Sequence, residues 1–159
     1  MIKDISEAKR LYEQNGQTIL TWFNVNKLGK YRIKVSILSV NSIRKQAIGL
    51  FFGEFKGSVL RNGNSLKIPK TVFGHYKFTQ DEILQDGLLF EITAESGYLS
   101  FANASNEPDA QECFTSAARG REFWIEILSE NIYRFHCNDN FDTKTYDNFI
   151  FDLEISDVE

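Results

Sequence analysis

The chain has 159 residues, 42% hydrophobic and 25% charged, which suits one globular domain, 1–159, and excludes a chain too short to build a core without metal or disulfide staples. No run approaches the ~20 apolar residues of a membrane span. The net charge of −4 conceals a split: residues 1–70 carry 13 Lys/Arg against 4 Asp/Glu, and residues 71–159 carry 5 against 18. If the fold interleaves these halves they neutralise each other; if it segregates them, the acidic half would attract cations or a basic partner protein.

At the N-terminus, Asp4 or Ser6 is a suitable cap, and Ile5, Ala8, Leu11 and Tyr12 fall on one stripe that Gly16 would stop, which predicts a short helix within 1–16. The same residues carry charges every few positions and no apolar run, so a cleaved leader is not expected and a cytoplasmic location is. From Thr18 the period becomes two. Ile19, Thr21 and Phe23 alternate with Leu20, Trp22 and Asn24; after a turn at 26–30, Tyr31, Ile33, Val35 and Ile37 alternate with Arg32, Lys34 and Ser36, a half-buried strand with a basic outer face. Segment 43–55 fits helix or strand equally.

Arg61-Asn62-Gly63-Asn64 is a hairpin signal, because Asn-Gly accepts the positive φ of a tight turn. It would join 58–60 to 65–68. Residues 78–85 suit one or two helical turns, 88–93 and 98–102 read as a hairpin around Glu95-Ser96-Gly97, and the polar stretch 103–121 reads as a long loop. The last third is the clearest: 123–128, 132–137 and 149–155 are strands, the last with Phe149, Phe151, Leu153 and Ile155 on one face and Asp152 and Glu154 on the other. With 14 Phe in a chain that is 14% aromatic, strands are favoured throughout. The predicted class is all-β, an antiparallel β-sandwich or jelly roll over 17–159 behind the short N-terminal helix.

Cysteine and histidine point away from catalysis. Cys113 and Cys137 form no C-x-x-C pair and are expected as thiols. His136 and Cys137 are adjacent and face opposite sides of a strand, so they cannot share a zinc ion with Cys113. No base stands at a telling distance from Ser116 or Cys113, and Glu122, Glu126 and Asp152 form pairs that any polar strand face produces. A non-enzymatic binding module is expected. Basic residues are dispersed over several segments, so nucleic acid is not an expected partner.

The richest chemistry lies in 137–151, CNDNFDTKTYDNFIF. Between two predicted strands it concentrates Asp139, Asp142 and Asp147 with Asn138, Asn140 and Asn148, hard oxygen donors of the kind Ca²⁺ takes six to eight of. It is not an EF-hand: counted from Asn138, the sixth position is Thr143 and the twelfth is Phe149, where Gly and Glu belong. Asp139, Asp142, Asp147 and Asn148 are the candidate metal ligands, and Asn138, Thr143, Tyr146 and Phe141 the candidate ligand contacts. Trp22 and Trp124 are further aromatics with polar neighbours. Solvated turn-capping Asp and Asn is the competing explanation.

Through Thr145, Tyr146, Asp147, Asn148, Phe149, Ile150 and Phe151, the stretch resembles the acidic signature before the last strand of calcium-binding β-sandwich modules in bacterial adhesins and lectin-like proteins. Asn138-Asp139, Thr143 and Asp147-Asn148 are similar in order to the calcium and sugar residues of calcium-dependent galactophilic lectins, with the last pair displaced by one position. Lys144 within the loop departs from both. These resemblances imply calcium as cofactor and a carbohydrate or protein ligand; the rival expectation is a small cytoplasmic immunity- or antitoxin-like protein whose acidic half binds a basic partner. Upstream, Gly63, Asn64, Ser65, Leu66, Ile68, Pro69 and Lys70 resemble the hairpin of AbrB/MazE-type antitoxins.

Overall fold

The structure is a computed structural model that describes residues 5–7, 10–14, 17–70, 75–107, 110–116, 120–139 and 144–158. Among the described residues there are thirteen strands and one short helix: β1 (Ile5–Glu7), β2 (Arg10–Gln14), β3 (Gln17–Leu20), β4 (Phe23–Val25), β5 (Gly29–Val40), β6 (Gln46–Arg61), β7 (Asn64–Leu66), β8 (His75–Thr79), α1 (Gln80–Asp86), β9 (Leu88–Glu107), β10 (Ala110–Ser116), β11 (Arg121–Ile127), β12 (Ile132–Asp139) and β13 (Phe149–Asp157). All pairings are antiparallel. The all-β expectation holds. None of the helices described is long and apolar enough to cross a membrane.

The hydrogen-bonded order runs β1-β4-β9-β5-β13-β12-β11-β3-β2, with β6 and β10 also on β9 and with β7 and β8 on β6. Two layers face each other across the core. Phe23 of β4 meets Tyr133 and Phe135 of β12 at ring centroid distances of 5.4 and 5.3 Å, although these strands are not hydrogen-bonded neighbours. Strand β5 joins the layers by pairing β9 through Gly29–Val35 and β13 through Tyr31–Val40. Phe149, Phe151, Leu153 and Ile155 are buried, and each such side chain contributes roughly 1.5–3 kcal/mol.

The long β6–β9 ribbon bends sharply. Phe90 and Phe101 lie in one strand, yet their rings are 6.1 Å apart, where a straight strand would separate them by more than about 30 Å. The corner is made where Gly97 has φ +80° and Glu54 φ +49°. A Cβ on Gly97 would lie 2.3 Å from the Glu54 carbonyl oxygen, and one on Gly57 2.0 Å from that of Thr93. Only glycine lets the two backbones approach so closely. The expected hairpin around Glu95-Ser96-Gly97 is therefore corrected: 88–93 and 98–102 are the two arms of one bent strand, both paired to β6.

Three other expectations change. The N-terminal helix does not form: Ile5–Glu7 pairs with β4 and Arg10–Gln14 with β3, because a helix this short is marginal alone while two sheet edges offer it backbone partners. Residues 103–121 are not a long loop; β9 continues to Glu107 and turns back as β10. Their pattern does not alternate because 99–106 are buried throughout. The predicted strand from Thr18 breaks at Thr21-Trp22 into β3 and β4, which pair with β11 and β9 respectively.

The ambiguous 43–55 segment resolves as strand from Gln46. Asn62 and Gly63 both take positive φ in the predicted β6–β7 hairpin, and Thr79 caps α1 through a capping box with Glu82. The charge halves interleave: Lys27–Asp157 (2.8 Å), Lys45–Asp81 (3.6 Å) and Arg44–Glu107 (3.7 Å) each join the basic half to the acidic one.

Candidate functional site

At one end of the sandwich the core changes from apolar to polar. Leu99 and Phe101 of β9 face the core, and the next positions of the same parity are Asn103 and Ser105, with Gln46 of β6 opposite Ser105. All three are 0% exposed. Arg121, at the start of β11, enters this layer from the facing sheet. Its Nε donates to Ser105 Oγ at 2.7 Å, one Nη reaches the Ser105 and Asn106 carbonyls at 3.3 Å, and the same group pairs with Glu107 at 3.2 Å. A buried guanidinium is tolerated only when its donors are satisfied and its charge is paired, and this one has both. Arg44 lies on the other oxygen of Glu107.

Lys77 of β8 donates to the Phe114 carbonyl of β10. Burial holds its amine below the ordinary lysine range; Cys113 pushes the value up and Arg121 pushes it down.

The acidic loop rises from this polar layer. Asp139, 1% exposed, accepts from Ser42 Oγ and from Gln46 Nε2 at 2.9 Å. Asn148 closes the loop at its base: its side-chain oxygen accepts from the Asp139 amide at 3.1 Å, its own amide donates to the Cys137 carbonyl at 3.1 Å, and it exchanges two hydrogen bonds with Asn41. Asp147 accepts from Thr145 Oγ1 and from Asn41 Nδ2. Asp139 and Asp147 thus hang from neighbouring residues of one turn, Asn41-Ser42.

On the outer sheet face the loop folds back over β11. Tyr146, buried and with φ +56°, donates its hydroxyl to Glu122 at 2.8 Å, and Lys144 pairs with the same carboxylate oxygen at 3.2 Å. Next along β11, Trp124 stacks on His136 with centroids 4.0 Å apart, and His136 Nε2 is 2.9 Å from Glu126. Arg134 then grips Asp152 with two bonds of 2.9 and 3.1 Å.

Of the predicted residues, Asp139, Asp147 and Asn148 come together at the loop base. Asn138 is 0% exposed, with its side chain donating to the Gly120 carbonyl at 3.1 Å. Tyr146 is a pin of the loop frame. Phe141, Asp142 and Thr143 lie outside the described residues. Among the described residues, no three His, Cys, Asp or Glu side chains gather as a metal-holding group. A calcium ion at Asp139 would compete with Ser42 and Gln46 for its carboxylate. Cys137 and Cys113 are free thiols; burial, with Asp139 nearby, pushes the Cys137 thiol well above its ordinary value, so it stays protonated.

Sequence reasoning missed Gln46, Asn103 and Arg121, and took Glu122 for one of the carboxylates of an ordinary polar strand face. The available signal was parity: after Leu99 and Phe101, the core-facing positions of the strand are Asn103 and Ser105, which need a polar partner inside. Comparison of the chain with family models, with curated proteins and with solved structures returns no significant match. The geometry alone carries the functional argument.

Proposed function

We propose that the chain is a non-enzymatic binding module whose recognition element is the acidic loop 138–148, with a carbohydrate or a protein as ligand and calcium assisting through Asp139, Asp142 and Asp147. One observation carries this reading: the base of the loop is fixed on both sides, by Asp139 on Ser42 and Gln46 and by Asn148 on Asn41 and Cys137. Clasped in this way, Asp139, Asp147 and Asn148 have little ordering left to lose on binding, which is how preorganisation raises affinity. The rival, a protein whose acidic half masks a basic partner, draws less support, because cross-half ion pairs already bring basic groups to Glu107, Asp81 and Asp157.

Thermal unfolding in calcium and in chelator tests the proposal. A hundredfold excess of calcium over its dissociation constant is expected to stabilise the fold by about 2.7 kcal/mol, and Asp147→Asn is expected to reduce that gain. A melting temperature indifferent to calcium would remove the metal from the mechanism.

A further inference from the structure

The corner of the β6–β9 ribbon holds a groove separate from the acidic loop, about 25 Å along β6 from Gln46 by strand rise. Strand β8 pairs with β6 only as far as Phe51, and β7 begins pairing at Val59, so residues 52–58 have no described strand on that edge. The groove fills this gap. Its volume of about 760 Å³ falls within the range of small-molecule sites, roughly 300–1,000 Å³.

Phe52, Phe55, Ile68 and Pro69 supply apolar lining, the two phenylalanines mostly buried, and the exposed Lys56 and Lys70 line the groove with them. Phe52 and Phe55 are locked edge to face at 5.7 Å, so the lining is firm. Among the described residues neither lysine takes part in an ion pair. Glu54 and Ser96 complete the lining, leaving two cationic groups against one carboxylate. Glu54 is also a non-glycine residue in the left-handed region, a costly conformation that persists where its surroundings over-determine it and that clusters at binding sites.

We infer that this groove binds a small amphiphilic anion, with an aliphatic chain or aromatic ring laid against Phe52, Phe55, Ile68 and Pro69 and its carboxylate or sulfonate between Lys56 and Lys70. Apolar burial supplies the attraction and the two uncommitted ammonium groups select the charged head.

Fluorescence titration with 8-anilinonaphthalene-1-sulfonate, followed by displacement with decanoate or with decanol, tests this. The expected result is saturable one-to-one binding, displacement by decanoate at about a tenfold lower concentration than by decanol, and about tenfold weaker binding in Lys56→Glu and in Lys70→Glu. Both lysines are exposed, so the variants should keep the parent melting temperature. Non-saturable binding, equal displacement by decanol, or unchanged affinity in the Lys56→Glu/Lys70→Glu double variant would overturn the assignment. Calcium and chelator should leave the titration unaltered, which separates this site from the loop.

Discussion

The two ends of the first half of β6, residues 46–53, are held by different means. Around Gln46, the strand meets buried Asn103, Ser105, Arg121 and Asp139, and order comes from directional hydrogen bonds and one paired guanidinium. Seven residues on, around Gly53, order comes from close backbone approach at Gly57 and Gly97 and from interlocked rings of Phe52, Phe55 and Tyr76. The contrast teaches how each end should respond to change. A hydrogen-bonded end fails when a charge loses its partner; a tightly approached corner fails when volume is added.

The largest effect is expected at the polar end. Arg121→Met leaves the half-buried Glu107 beside fewer donors and frees the Ser105 and Asn106 carbonyls, and should cost about 3–5 kcal/mol in urea unfolding. A loss under about 1 kcal/mol would show that the network is not what organises this end.

At the corner, Gly97→Ala and Gly63→Ala form a matched pair. Both glycines have φ near +80°, but a Cβ on Gly63 meets nothing within 4 Å. Gly63→Ala should cost about 1 kcal/mol from backbone strain alone, and Gly97→Ala roughly 3 kcal/mol or more from strain plus collision. Equal losses would mean that the approach of the backbones contributes nothing.

A smaller effect sharpens the comparison within the loop. Asp139→Ala should destabilise by about 1.5–3 kcal/mol by removing the acceptor of Ser42 Oγ and of one buried Gln46 Nε2–H, the other staying on the Arg44 carbonyl. Asp147→Ala, half-buried on the same turn, should stay within about 1 kcal/mol. If Asp147 proved the costlier loss, the loop would be anchored from its outer side.

Local sequence revealed what local physics controls. In β13, Phe149, Phe151, Leu153 and Ile155 alternate with polar residues because one face of that strand is covered, so strand and orientation were both readable. The second arm of β9, from residue 98 on, gave no such pattern, since Ser100, Ala102 and Ala104 are buried on the face opposite Leu99, Phe101 and Asn103. The N-terminal segment has apolar positions that suit a helix as well as a strand, and the edges that decide between them are formed by residues 17–25. For the site, the density of Asp and Asn singled out the loop. That Asp139 turns inward to Gln46, 93 positions away, could not be seen from the loop itself.

Strand β9 takes hydrogen-bonded neighbours from β4, β5, β6 and β10, which together span residues 23–116. No shorter piece of the chain carries all of these contacts, so the central strand cannot be completed before residue 116 has been made. Assembly must wait for distant partners to find one another, which places this topology among slow folders whose rate is set by loop closure and not by local propensity.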